Sequence, residues 1–199
     1  MKTKNNRVYI PIGSNCTPTH FLRQNSLRQE AYPFDWNVTP LKAVYELLKN
    51  NYDGLMDELL IGTRIKRLYF DENQAANASD PKVVASNSEI YPVICKKYNI
   101  LFPHYFDDVE KATILKVKDK MRRRIENLSD LLKSDMKVCL IYVYGINDWH
   151  RQCYEEHNIN PDIFDPSKSV GYVAKIKELV GDHVEVSSLD QSLRRQIQP

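Results

Sequence analysis

Residues 137–144 read KVCLIYVY. Behind the leading lysine every side chain is aliphatic, aromatic or a thiol, with no alternation of polar and apolar positions. A strand of that composition needs burial on both faces, as in the middle of a parallel sheet covered by helices. Just upstream, Val117, Met121, Ile125, Leu128 and Leu132 recur at helical spacing and predict a long helix over residues 107–133. Downstream, residues 168–180 have the pattern of an amphipathic helix and residues 183–187, HVEVS, that of a further strand. Far from these, residues 7–12, RVYIPI, form a short apolar run whose Pro11 suits a sheet edge or a strand end. This alternation implies one α/β catalytic-type domain over residues 1–199, a mainly parallel sheet flanked by helices with right-handed crossovers.

Between these landmarks the pattern is less regular. Thr17 and Pro18 announce a helix over residues 18–25, with Phe21 and Leu22 inward and Arg23 outward. Residues 31–37, AYPFDWN, read as an aromatic loop, because Pro33 keeps its predecessor out of helical geometry. A helix is expected over residues 40–50 and a second, short one over 53–61. Residues 71–89 are polar and poorly patterned, as in a surface loop, and residues 90–106 lead into the aromatic segment around FPHYF. The tail after residue 187 lacks apolar closure, as expected of a chain trimmed from a longer protein.

Composition narrows the classes. A chain of 199 residues can bury enough surface to need neither disulfides nor a structural metal. Its net charge of +2 gives no global pull toward nucleic acid. No apolar run reaches the length of a signal segment or a membrane span. The four cysteines show no paired C-x-x-C spacing, which suits a reducing, cytoplasmic setting. The expected partner is a small-molecule or saccharide substrate, and the sequence leaves the oligomeric state open.

The chemistry-bearing segment is residues 10–18, IPIGSNCTP. It places Cys16 at the carboxyl end of the first strand and just before a helix, the edge where ligands gather in open α/β sheets. Helix-end N–H groups favour a thiolate and hold an oxyanion, so a lowered thiol pKa is expected. Ser14 and Asn15 add short polar groups to that turn. A cysteine nucleophile needs a base, usually a histidine that a third group orients. His104, between aromatic residues and near Asp107 and Asp108, is the first candidate, and His20, one helical turn past Cys16, is the second. Asp35, between Phe34 and Trp36, either caps a turn or orients a histidine or arginine. Of the triplet Arg122, Arg123 and Arg124, one is expected to reach inward to Asp35 or a substrate anion, with Arg123 taken as the candidate.

The string PIGSNCTP, followed by FLRQNSLR, AYPFDW and FPHYF, resembles a bacterial family known as "putative papain-like cysteine peptidases", a domain of unknown function. The resemblance is strong over residues 8–37 and looser over 98–145. It implies a nucleophile at Cys16, a histidine at His104 and an orienting residue at Asp35. Tyr105 stands where the family usually has aspartate, and Asp107 is the nearest substitute. Gly145-Ile146-Asn147-Asp148 resembles the G-x-N-D block of SGNH hydrolases, which implies Asn147 as an oxyanion donor. The layout also resembles cysteine-based acetyltransferases of capsule biosynthesis. These likenesses imply a three-layer SGNH- or flavodoxin-like sheet, with a papain-like α+β arrangement as the alternative. They also imply acyl transfer in surface-polysaccharide metabolism, with no metal and no cofactor beyond an optional acyl-CoA co-substrate. The competing reading is a non-catalytic carbohydrate or nucleotide-sugar module built on Trp36, Tyr32 and the arginines.

Overall fold

In the computed structural model, which describes residues 7–70 and 83–189, the apolar octet forms the centre of a parallel sheet. Strand β6 (Lys137–Val143) lies between β1 (Arg7–Pro11) and β7 (Val184–Leu189). Arg7 faces Lys137 and Val138 faces Val184, all in parallel register. After its exposed first residue β6 is buried throughout, as its unbroken apolar run requires. Pro11 closes the edge strand, where its missing N–H breaks no ladder.

The two faces of β6 meet different layers. Cys139, Ile141 and Val143 cluster with Leu22 of helix α1 (Thr17–Gln24). Val138, Leu140 and Tyr142 face the larger core, shared with α2 (Leu41–Lys49) and α3 (Lys111–Leu132). From α3 come Val117, Met121 and Leu128, all nearly inaccessible, which bears out the spacing argument for that helix. Helix α4 (Asp148–Glu155) follows β6, and α5 (Pro166–Val180) buries Ile176 in the same core before the chain enters β7.

Among the described residues, parallel pairing stops at three strands. In a separate antiparallel sheet β4 (Val83–Cys95) pairs with β2 (Leu59–Ile61), β3 (Ile65–Phe70) and β5 (Ile100–Phe106). The protein is therefore a mixed α/β structure, as the alternation implies, but its sheet is not mainly parallel. Among the described residues, five α-helices with one parallel and one antiparallel sheet fit the papain-like alternative as well.

Two local expectations are corrected. Residues 53–58 are turns leading into β2, and 59–61 are β2 itself, so no helix forms; Gly54 and Met56, at φ of +74° and +72°, interrupt any helical path. Residues 83–89, expected in a polar loop, belong to β4, because antiparallel pairing with β3 holds them extended. The remainder of that expected loop, residues 71–82, lies outside the described residues, as does most of the tail.

Strand β5 is irregular where it carries its polar side chains. Tyr91 faces Phe106 and Val93 faces Phe102, so four steps along β5 match two along β4. The surplus residues, Pro103 to Tyr105, bulge from the ladder, and Pro103 could not donate to it in any case. The segment FPHYF is thus a bulged strand, and the bulge sets the aim of His104 and Tyr105.

The end of β1 sets the tightest constraint. Gly13 has a φ of +124°, and an added Cβ would stand 2.5 Å from the Thr39 carbonyl oxygen and 2.8 Å from Cε2 of Tyr142. Gly171 is the opposite case: a helical glycine whose Cβ would meet nothing. Chemical denaturation should find Gly13→Ala destabilised by about 3 kcal/mol or more. The same measurement should find Gly171→Ala stabilised by about 0.5–1 kcal/mol, the helix-propensity gain over glycine.

Candidate active site

Beyond Pro11 the chain runs across the end of β6. Ile12 N–H donates to Ile141 O (2.9 Å), Val143 N–H to Gly13 O (2.9 Å) and Ser14 N–H to Val143 O (2.9 Å). The Gly13–Ser14 peptide bond is cis. Ser14, fully buried, holds its hydroxyl 2.6 Å from the Val143 carbonyl and 2.5 Å from that of Gly145. Asn15 donates from Nδ2 to Gly145 O (2.8 Å) and accepts from Thr17 N–H at Oδ1 (2.8 Å). Ser14 and Asn15, expected as substrate or oxyanion groups, instead clasp the exit of β1 to that of β6. Their side-chain polar groups are already engaged.

This clasp delivers Cys16 as the N-cap residue of α1. The helix end is a poorer anion cradle than its position implies. Thr17 N–H is bonded to Asn15, Pro18 has no N–H, and His20 N–H donates to the Cys16 carbonyl (3.0 Å). The thiol is pushed up to about 12, first by burial and then by the negative charge of Asp35. The lowered pKa expected from the sequence is therefore reversed.

Asp35 has no exposed surface. Its Oδ2 accepts from Arg28 Nε (3.0 Å), Arg28 Nη2 (2.6 Å) and Tyr32 N–H (3.2 Å). Its Oδ1, equally buried, has no hydrogen-bond partner among the described residues. Burial raises the Asp35 pKa while Arg28 opposes the rise. The carboxylate thus orients an arginine, one of the roles open to it in the sequence. That arginine is Arg28, and Arg124 also acts on the same carboxylate.

Tyr105 donates from Oη to the Asp35 carbonyl (2.5 Å) and accepts from Arg124 Nη1 (2.6 Å). It lies close enough to Cys16 and Asp35 for both charges to raise its pKa, after the larger effect of burial. Of the arginine triplet, Arg124 is therefore the one that turns inward. Arg123 is exposed and lines a surface cleft, while Arg122 pairs along the helix with Asp119 and Glu126. Asp107 is exposed at the end of the bulged strand.

His104, half-buried, packs its ring against Trp149 (6.4 Å between centroids), and Trp149 packs against His150 (5.1 Å). His150 is buried and held far below the ordinary histidine value, to about 3, by burial and then by His104. Asn147 begins α4, its side-chain oxygen accepting from His150 N–H (2.8 Å). The cap fixes that oxygen on the helix, and the residue is exposed. His20 stands edge-on to Trp36 (4.7 Å), and Trp36 takes a left-handed φ of +63°, rare for a bulky side chain. The structure thus gathers Cys16, Asp35 and Tyr105, and packs His104 of the bulge with Trp149 and His150 of α4. Arg28 is the neighbour of Asp35 that the sequence reading does not single out. Arg28 was within reach, since the quoted S-L-R string ends on it seven residues before Asp35.

A family model described as "Putative papain-like cysteine peptidase (DUF1796)" matches residues 7–172. The chain belongs to that family. Among curated proteins it is similar to "Uncharacterized protein R408" of Acanthamoeba polyphaga mimivirus, 23% identical over 144 residues. That alignment covers 69% of this chain and 61% of the viral protein, so the chain spans less than two thirds of the relative's length. No solved structure matches. The family's description names a cysteine peptidase, and chemistry of that kind runs on side chains without a cofactor. Among the described residues no group of three or more His, Cys, Asp and Glu is placed to hold a metal ion, and all four cysteines are free. No described helix is long and apolar enough to cross a membrane.

Two measurements check these electrostatics. Asp35→Asn removes a negative charge that opposes the thiolate and releases Arg28, so Cys16 should titrate lower. Iodoacetamide should then alkylate Cys16 at pH 8 about tenfold faster or more, a fall of at least one pKa unit. For His150, the unfolded chain binds a proton near pH 6.5 that the folded chain refuses until about pH 3. Stability is thus complete above 6.5 and falls through that window on acidification, by up to about 1.4 kcal/mol per pH unit. Denaturation curves for His150→Gln should lose that slope.

Proposed function

We propose that the chain is a cysteine-nucleophile acyl-transfer enzyme in which Cys16 attacks the acyl carbon and His104 carries the proton. The observation that supports this best is the clasped turn that fixes Cys16 at the common exit of β1 and β6. A thiol resting near 12 is not a pre-formed thiolate. Attack is therefore coupled to proton removal, as a hydroxyl nucleophile would require. The sulfur–carbon bond forms as the thiol proton passes to His104, and that proton leaves with the departing group. Water then attacks the thioester carbonyl, the carbon–sulfur bond breaks, and the thiol is restored.

Asp35 is the positioning residue, holding Arg28 and the loop of residues 31–37 against the thiol. Tyr105 ties that loop to the bulged strand by a hydrogen bond. A saccharide hydroxyl in place of water would make the enzyme a transferase of surface-polysaccharide metabolism, with an acyl-CoA as one form of donor. The resemblance to capsule acetyltransferases favours that variant, and Trp36 is the aromatic surface suited to a sugar ring.

The test is acyl trapping. The full chain is incubated with an activated ester and the adduct located by mass spectrometry. A single hydroxylamine-labile acyl group on Cys16 is expected, absent in Cys16→Ala and formed about 100-fold more slowly in His104→Ala. An adduct on Cys16 at an unchanged rate in His104→Ala would transfer the base role to His20. Absence of any adduct on Cys16 would end the nucleophile assignment.

A further inference from the structure

Beside the Asp35 network the surface opens into a shallow cleft of about 350 Å³, lined by Glu30, Ala31, Lys120, Arg123, Arg124 and Asn127. Four of these lie at positions i, i+3, i+4 and i+7 of α3, the spacing that gathers side chains on one helix face. Three are cations. Among the described residues no carboxylate pairs with Lys120, Arg123 or Arg124, although neighbours on the same helix find partners. Lys118 reaches Asp57 (3.5 Å), and Arg122 reaches Glu126 (3.3 Å) and Asp119 (3.7 Å). The single acid of the cleft, Glu30, accepts from Asn127 Nδ2 (3.1 Å).

A solvated charge run has no reason to hold still, but part of this one is held. Arg124 is fixed by its bond to Tyr105 Oη and lies over that ring (5.6 Å), with Lys120 at a similar distance (5.5 Å). Tyr105 is bonded in turn to the backbone of Asp35. Ala31, in the cleft wall, precedes Tyr32, whose N–H binds the Asp35 carboxylate. The cleft and the nucleophile's support therefore share a rigid wall.

We propose that this cleft binds a phosphoryl group of the substrate through Lys120, Arg123 and Arg124. Three cations against one carboxylate leave a net charge of +2. A phosphoryl group near −2 at neutral pH matches that balance, whereas a lone carboxylate covers half of it. Two guanidinium forks and an ammonium present more donors than a carboxylate can accept, which also suits a tetrahedral oxyanion. The phosphoryl source is either a monoester or a diphosphate. The proposal deepens the acyl-transfer reading by naming an anionic part of its substrate, but the binding itself does not require Cys16 to react.

The test is calorimetric titration of the full chain with inorganic phosphate and inorganic pyrophosphate at low salt. Saturable binding that weakens with added salt is expected, tighter for pyrophosphate if the source is a diphosphate and equal for the two if it is a monoester. Arg123→Ala and Lys120→Ala should each weaken it about tenfold or more, the loss of one charge-assisted contact. Arg122→Ala, whose guanidinium is paired along the helix, should change it less than about twofold, and Cys16→Ala should bind as the wild type does. Absence of saturable binding to the wild type, or equal losses in Arg122→Ala and Arg123→Ala, would overturn the proposal. Iodoacetamide labelling of Cys16 in parallel reads the nucleophile separately, so either idea can fail alone.

Discussion

A carboxylate with no exposed surface is tolerable only where donors converge on it, and the convergence on Asp35 organises much of the molecule around Cys16. Arg28 supplies two donors from the turn that ends α1, where the Leu27 and Arg28 amides fold back on the Leu22 carbonyl. Tyr32 supplies a third from within the aromatic loop. Tyr105 ties the same loop to the bulge of β5, and Arg124 ties that bulge to α3. Loop, strand and two helical segments are thus registered by one buried charge. Breaking such a pair from one side costs about 3–5 kcal/mol, because the survivor is left charged and dry. Together with burial, which acts first, the same charge favours the neutral thiol.

The fold was legible where one periodicity dominated. KVCLIYVY could be nothing but a strand buried on both sides, and the apolar stripe of residues 117–132 demanded a helix. The antiparallel sheet was not legible, for physical reasons. Leu55, Met56, Leu59, Leu60 and Ile61 form a short apolar run that strand and helix share, and Gly54 decides the matter only through its φ. Residues 83–89 carry serine and asparagine without alternation and become a strand through their partner in β3. Long-range pairing of that sort leaves no local trace.

The site was legible in outline and misjudged in chemistry. That Cys16 sits between strand and helix follows from Gly13, Thr17 and Pro18. That the thiol is raised instead of lowered follows from burial and then from Asp35, neither of which adjacency in sequence reveals. Asp35 looked like a turn residue or an orienting group because both roles need a carboxylate between aromatics. Only the folded chain brings Arg28 to it. Choosing Arg123 over Arg124 was a matter of one helical step, about 100°, which an arginine triplet cannot resolve.

The clasp between Ser14, Asn15 and Gly145 joins residues separated by some 130 positions. Closing so long a loop is entropically unfavourable until much of the sheet exists, so contacts of this range are gained late. Any fragment that stops before residue 137 contains the cysteine but lacks the strand against which its turn is shaped. In such a fragment the thiol would have an ordinary acidity and open access to solvent. The finished protein is therefore the more guarded form, and a nascent or clipped chain the chemically promiscuous one. Protection of the thiol during synthesis must come from outside the first half of the polypeptide.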